Sequence, residues 1–583
     1  MTETKTTLRE QHWLDRYGKG YHAWVKDEDG KGWSRPCGLF EARFDTDGRY
    51  FGGRADISEI LTVALSTRLS PADLRHHVLL AFTLLRLQHS LLRGRAEPRT
   101  LEVEPWFSVD IPPTADATIR DAASAIQFLD STVSDDGGEL DLRDLITHSL
   151  NVARVIKPSE ALARAFVLPI ESQGPMRWRL RLLFVLAHQI VDGLSVVRWL
   201  SHFVQILNMP TEQIQRDIEK GILPDSIYAC LPPAQEDLYA PVASTRARTR
   251  WFWAITIVLR HVKKPSPTAL PNPLRRATPL SAARPFKPRY SKMFDYLQTP
   301  PLNTLTARVK LSAAASQRLY RLCQEAKASV GAGGFVLVAM TIMALHEAKN
   351  PLEATDERRP FRVCFPLNPR PFIANAATSD GLVLAFSSGI ALPFLPSHLD
   401  FEGRYRLLAR QASRQLAAYQ KREKLHTATA AEAARYMGIR GPGRLIASDY
   451  IDGVERMREL LPSHLKNVIP SPQGAYETPI FNVSEATCEL SSIGKLDFSA
   501  VRHDLSKDPG EEGGVIASVE GLMNCCRARH TEFGVATLSE DGIMQAELSF
   551  DANAIDEDSV PTFLEKLRTL LEVPDEPEVK SRL

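Results

Sequence analysis

The chain has 583 residues, 44% hydrophobic and 24% charged, with 71 Lys plus Arg against 70 Asp plus Glu. That length suits roughly two to four domain-sized units, and a net charge of +1 excludes a whole-protein field that would hold nucleic acid or an anionic membrane. Seven cysteines, at 37, 230, 323, 364, 488, 525 and 526, are odd in number and form no CxxC pair, so they read as reduced thiols of an intracellular protein with no zinc site.

The opening MTETKTTLREQHW has no apolar stretch behind its charges and does not read as a secretory signal. FEARFDTDGRYFGG then sets an Asp-Gly pair between aromatic, alternating residues, which predicts a β-hairpin around residues 40 to 53. Ser70-Pro71-Ala72-Asp73 supplies an N-cap, a proline at the first helical position and a capping-box acid, and apolar residues recur from there through Leu92. WRLRLLFVLAH, ending at His188, suits a buried strand. Beyond it Val196, Val197, Leu200, Phe203, Val204 and Leu207 recur at helical spacing, so Gly193 marks a junction of strand, loop and helix.

Residues 233 to 301 are rich in proline with basic residues between, and read as a connector between two halves, 1–232 and 302–583. Within the connector, WFWAITIVL (251–259) is flanked by Arg246, Arg248, Arg250, Arg260, Lys263 and Lys264, a composition that suits either a membrane surface or, as the preferred reading, an amphipathic helix docked on its own protein. In the second half TARVKL predicts a strand, and Ser312 caps a helix that buries Leu319 and Leu322. SVGAGGF (329–335) lacks the GxGxxG spacing of a phosphate loop and precedes an apolar helical run, so its glycines are assigned to helix packing. That run, FVLVAMTIMAL (335–345), is shorter than the ~20 apolar residues of a membrane span, and none is expected. VCFPLNPR, GLVLAFSSGIALPF, IFNVSE and VATLSEDGIMQAELSFD are further strand candidates, the last broken by an Asp-Gly turn, and LSKDPGEEGG (505–514) is a surface loop. The end, Ser581-Arg582-Leu583, is a variant of the Ser-Lys-Leu peroxisomal address on a polar, proline-bearing tail. It implies an import receptor as partner and the peroxisome as location, with the cytoplasm as the alternative.

The chemically pointed stretch is AHQIVDG (187–193). A histidine held where a buried strand stops is positioned by the core while one ring nitrogen faces outward, and a neutral imidazole there suits a general base. Asp192, in a turn closed with the help of Gly193, either orients the imidazole or fastens the loop by pairing with an arginine. His and Asp four residues apart are also common as a simple pair on helix surfaces. The apolar strand before and the Asp-Gly after favour chemistry. No GxSxG is present for a nucleophile-elbow hydrolase, Cys525-Cys526 reads as core, and the helix-end setting of His89 favours packing.

These residues resemble the HxxxDG signature of the superfamily that holds chloramphenicol acetyltransferase, peptide-synthetase condensation domains, plant HxxxD acyltransferases and fungal trichothecene acetyltransferases. LQHSLLRGR (87–95), VCFPLNPR (363–370) and SSIGKL (491–496) resemble further elements of it in the same order, over roughly residues 40 to 555. The likeness is greatest to the stand-alone fungal 15-O-acetyltransferase group of secondary (mycotoxin) metabolism. It implies a mixed α+β fold in which two chloramphenicol-acetyltransferase-like lobes form a V around a central channel. It further implies that His188 is the catalytic base, that Asp192 is structural and paired with Arg370 beside Gly193, and that Ser491, Ser492 and Gly494 line the channel opposite as oxyanion candidates. Acyl-CoA is then a co-substrate and not a bound cofactor, the acceptor is a small-molecule hydroxyl, and no metal or nucleic acid takes part. Arg275, Arg276, Arg284, Lys287 and Arg289 in the connector are possible contacts for CoA phosphates, with a solvated linker as the preferred reading. Ala187 stands where condensation domains carry a second histidine, which weakens an amide-forming reaction on a carrier-bound thioester. The plant DFGWG string is missing. Besides that amide-forming alternative, a condensation-like binding module without transfer is the reading from a different class.

Overall fold

The computed structural model describes residues 20–98, 105–130, 133–238, 268–281, 286–296, 302–370, 380–417, 486–507 and 514–572, with scattered single positions added or omitted. The opening residues 1–19, IFNVSE (480–485), Ser581-Arg582-Leu583, and most of both the basic tryptophan segment and the 505–514 loop lie outside the described residues.

Two mixed sheets, each backed by helices, carry the two halves. The first has the order Val515–Cys526, Ile57–Thr67, Arg177–Leu186, Ala163–Val167, Ile126–Phe128, with Glu171–Gly174 paired to Arg177–Leu186. Its centre, Ile57–Thr67 against Arg177–Leu186, is antiparallel with Ile57 opposite Leu186, and both strands are buried along most of their length. The second sheet has the order Thr304–Lys310, Ile543–Asp551, Phe533–Glu540, Cys488–Leu496, Phe361–Cys364, Ile390–Leu392. Its hairpin turns at Asp541-Gly542, where both residues have positive φ, as the Asp-Gly signal requires.

The two units exchange chain. Strand Val515–Cys526 lies late in the sequence yet pairs with Ile57–Thr67 in the first sheet. Phe498, Val501 and Val515 likewise join the first core. The connector is also more tightly held than a proline-rich linker suggests. Leu270 and Leu274 enter the second core, and Tyr290, Met293 and Phe294 enter the first. Arg276 pairs with Asp556 and Glu557, and Arg289 with Asp144 and Asp136, so neither is a free basic group for CoA.

Several elements follow their sequence signals. Ser70 Oγ accepts from Asp73 N at the start of helix Pro71–Gln88, and Ser312 caps helix Ala313–Ala326 over buried Leu319 and Leu322. Ser329 caps helix Val330–Lys349, whose length and composition would suit a membrane span but which is 72% buried in its apolar window. A Cβ at Gly333 would lie 2.3 Å from Cys323 Sγ, so close helix packing is the reason for glycine there.

The hairpin expected around residues 40 to 53 is instead helix Leu39–Tyr50. Phe40, Phe44 and Asp47 recur at the helical period and are all buried, and the Glu41 carboxylate accepts from Gly38 N at the N-terminus. Gly48 serves a different purpose from turning the chain. A Cβ there would meet the Arg154 guanidinium, which passes over the helix to pair with Asp56 at 2.7 Å.

Candidate active site

Strand Arg177–Leu186 delivers Ala187 and then a single 3-10 turn, His188–Ile190, before helix Gly193–Leu207 begins. Both flanking elements are apolar and packed, so the turn between them is held from two sides. Asp192 is the N-cap: its Oδ1 accepts from Leu194 N at 3.1 Å and Ser195 N at 3.0 Å. Gly193 opens the helix with nothing within 4 Å of its Cβ position. The other oxygen, Oδ2, accepts from Arg370 Nη2 at 2.6 Å and from Val383 N at 2.9 Å, both contributed by the second half.

Arg370 completes the clamp by donating to Ser195 Oγ at 2.7 Å and Gly381 O at 3.0 Å. Asp192 is 3% exposed and Arg370 7%, so the pair is a buried tie between the two halves. A buried carboxylate with both oxygens engaged in this way fastens the loop and has no lone pair directed at the imidazole. Of the two roles that the sequence leaves to Asp192, the geometry fits the second.

His188 lies flat against Phe44 of helix Leu39–Tyr50, with ring centroids 4.0 Å apart and planes 9° from parallel. Arg529 also lies by Phe44, its guanidinium carbon 5.5 Å from that ring and 5.9 Å from the ring of Phe386. Arg529 is anchored by Asp47 at 3.1 Å, one turn along the same helix. The histidine's Nδ1 is buried without a well-aligned partner, whereas the residue as a whole is only half-buried, which leaves Nε2 as the nitrogen open to surrounding space. Burial pushes the His188 pKa down to about 4; a contact with its own backbone offsets this in part, and Arg529 lowers it further. The ring is therefore neutral at physiological pH, as a base must be to accept a proton.

Beside Arg529 is a second unusual group. The Glu532 carboxyl is raised above the ordinary carboxylate range by burial, with the neighbouring Glu489 adding to the shift and Arg529 opposing it.

SSIGKL, matched by resemblance alone, lies within strand Cys488–Leu496 of the second sheet. Its register against Phe533–Glu540 shifts between Ser492 and Gly494, and Gly494 has φ +87° at that irregularity, a conformation that suits glycine alone. Ile493 lines an inter-lobe cavity together with Val197, Leu496 and Phe498. Ser492 lies against Gly331 of helix Val330–Lys349, and neither Ser491 nor Ser492 is in the cavity lining. None of Ser491, Ser492 and Gly494 hydrogen-bonds to His188. The structure thus brings His188, Asp192, Gly193 and Arg370 together, whereas the cavity beside Ile493 has none of these four in its lining.

His89 is buried at the C-cap of Pro71–Gln88, with Nε2 3.0 Å from His202 Nδ1 and its pKa depressed by burial to about 3. Asp380 lies close to both histidines and is ion-paired with Arg198. This is the packed setting expected of His89. Cys525 and Cys526 lie in the exchanged strand with their thiol pKa values raised by burial, a state that disfavours the reactive thiolate. Phe44, Arg529 and Phe386 are absent from the sequence-based assignment. The Phe40, Phe44, Asp47 spacing is the signal that marks the first of them.

Two mixed sheets tied by an exchanged strand, with an Asp-Arg clamp after an HxxxDG turn, give the chain a two-lobed fold similar to that of solved acetyltransferase and condensation-domain structures. Among solved structures, the chain is similar to the trichothecene 15-O-acetyltransferase TRI3 from Fusarium sporotrichioides, with a TM-score of 0.64, 11% identity, and coverage of 94% of this chain and 97% of that one. It is also similar to the condensation domain of the Monacolin K polyketide synthase MokA (TM-score 0.50, 11% identity, 92% of this chain and 96% of that one). The first condensation domain of the calcium-dependent antibiotic synthetase, in complex with a substrate analogue, gives a TM-score of 0.50 at 11% identity over 93% of this chain and 97% of that one. No family profile and no curated protein sequence matches the chain.

Proposed function

We propose that this protein is an acyltransferase that moves a short acyl group from acyl-CoA to a hydroxyl of a small secondary metabolite, with His188 as general base. The observation that carries the reading is the state of that imidazole: neutral, pinned flat on Phe44, and open at Nε2. Nε2 takes the acceptor's proton as its oxygen attacks the thioester carbonyl. The tetrahedral oxyanion then collapses, the C–S bond breaks, and the imidazolium returns the proton to the departing CoA thiolate. No acyl-enzyme is needed. A base with a pKa near 4 is a weak proton acceptor in the resting protein, so the chemistry gains from substrate entry, which brings the partial charges that stabilise an imidazolium during transfer.

The likeness to TRI3 supports an O-acetyl-type reaction, and the likeness to condensation domains keeps amide formation from a carrier-bound thioester as the competing outcome. Incubation with a panel of acyl-CoAs and a metabolite extract, read by mass spectrometry, separates them. A mass gain of one acyl group with release of free CoA supports the proposal. Turnover only with an acyl-carrier protein transfers the assignment to the condensation class, and no thiol release with either donor overturns both.

A further inference from the structure

Residues 380–383 of the second half lie along one face of helix Gly193–Leu207, and side chains from successive turns hold them there. Val383 N donates to Asp192 Oδ2 at 2.9 Å, Ser195 Oγ donates to Gly381 O at 3.1 Å, and Trp199 Nε1 donates to Asp380 O at 2.9 Å. The next turn of that face brings His202.

Two other groups meet His202 at the end of this seam. Its Nδ1 is 3.0 Å from Nε2 of His89, the C-cap of helix Pro71–Gln88. A carboxylate oxygen of Asp380 completes a trio of donor atoms that all lie within 4.8 Å of one another. Three segments distant in sequence therefore aim lone pairs at one point.

Packing accounts for the rings, which are 5.2 Å apart and 18° from parallel, with Trp199 5.0 Å from His89. It does not account for the nitrogens facing each other beside a carboxylate. Two imidazole nitrogens bound to one zinc ion at about 2.0–2.1 Å stand roughly 3.3 Å apart in a tetrahedral site, close to the 3.0 Å separation here. The ring that donates across that contact needs only to carry its proton on its other nitrogen to free the lone pair. Arg198 donates to Asp380 Oδ1 and leaves Oδ2 for a metal, and a ligating carboxylate steadied by an outer donor is a common arrangement. His89 is buried, whereas His202 and Asp380 are half-buried, so solvent can supply a fourth ligand.

We propose that His89, His202 and Asp380 form a zinc-binding site that fastens residues 380–383 to the first half beside the Asp192–Arg370 clamp. Two imidazoles and a carboxylate suit zinc, whereas calcium and magnesium take oxygen ligands. The role is structural. His202 lies nine residues beyond Gly193 in the same helix, roughly 13 Å along its axis, so the metal holds the frame of the active site and takes no part in acyl transfer. The inference does not depend on the acyltransferase reading.

The test is metal binding by the full chain, with no turnover required. Chelator-stripped, reduced protein is titrated with Zn²⁺ against a competing chromophoric chelator, with Co²⁺ as an optical probe of the ligands and denaturant unfolding followed with and without zinc. Wild type is expected to bind one zinc ion, to give a Co²⁺ spectrum without an intense thiolate charge-transfer band, and to unfold at a higher midpoint when zinc is present. His202→Ala and Asp380→Ala alter half-buried side chains and should fold. Each should weaken zinc binding by at least about 100-fold, beyond the 10 to 100-fold that outer partners of a metal ligand cost, and remove the effect of zinc on the midpoint. No zinc bound by wild type, undiminished affinity in either folded variant, or a thiolate-dominated Co²⁺ spectrum overturns the proposal and leaves His89 and His202 as a hydrogen-bonded pair.

Discussion

Phe44 and His188 are stacked at 4.0 Å and 9°, which makes an aromatic side chain from the first helix the platform for the base that follows the central strand. A ring fixed on one face and buried at Nδ1 has little rotational freedom left, so Nε2 is presented along one direction.

Replacing Phe44 by leucine removes the platform and keeps most of the apolar volume. Turnover is expected to fall roughly 10 to 100-fold, as for a misplaced catalytic group, with an unchanged circular dichroism spectrum. Tyrosine in its place retains the ring and should retain most of the rate. Equal activity in the leucine variant would show that the stack does not position the base.

Breaking the clamp acts on stability as well as rate. Asp192→Asn leaves Arg370 buried at 7% exposure without its counter-charge, and the expected loss is about 3–5 kcal/mol in denaturant unfolding. Arg370→Ala should cost a similar amount. The double variant should cost less than the two single losses added together, because both break the same contact.

The His188 pKa near 4 gives a pH signature. The base is active when neutral, so kcat/KM should stay level from about pH 8 to pH 5 and fall only as pH approaches 4. Stability runs in the same direction. The unfolded chain binds a proton at ~6.5 and the folded ring resists it, so this residue's contribution declines as pH drops from ~6.5 toward 4. An acid limb centred near 6.5 in a well-folded sample would contradict the buried, neutral ring.

Gly494 has φ +87° at the register shift that carries Ile493 into the cavity wall. Gly494→Ala should cost about 1–2 kcal/mol from backbone strain and raise KM more than it lowers kcat, since the cavity edge moves and the base does not.

Much of the frame was legible because local signals and tertiary needs agreed. The Ser70 and Ser312 caps, the apolar strand before His188, the helix from Gly193 and the Asp541-Gly542 turn all formed where their patterns indicated. The Asp47-Gly48 pair misled because glycine there makes room for Arg154, a residue more than a hundred positions away. SSIGKL was placed through family resemblance and not by a local pattern, and its glycine marks a strand irregularity. The exchange of Val515–Cys526 into the first sheet and the convergence of Phe44, Arg529 and Phe386 near His188 are long-range pairings, which periodicity along one segment does not encode. The clamp from Asp192 to Arg370 was reached through family resemblance, since no spacing rule links residues 178 positions apart.

The most direct test of the central claim compares wild type with His188→Ala in the acceptor-dependent release of thiol from acyl-CoA, after both have been shown to unfold at the same denaturant midpoint. The account predicts a drop of ~100 to 10,000-fold, the range for losing a general base. An alanine variant that releases thiol at the wild-type rate would contradict it.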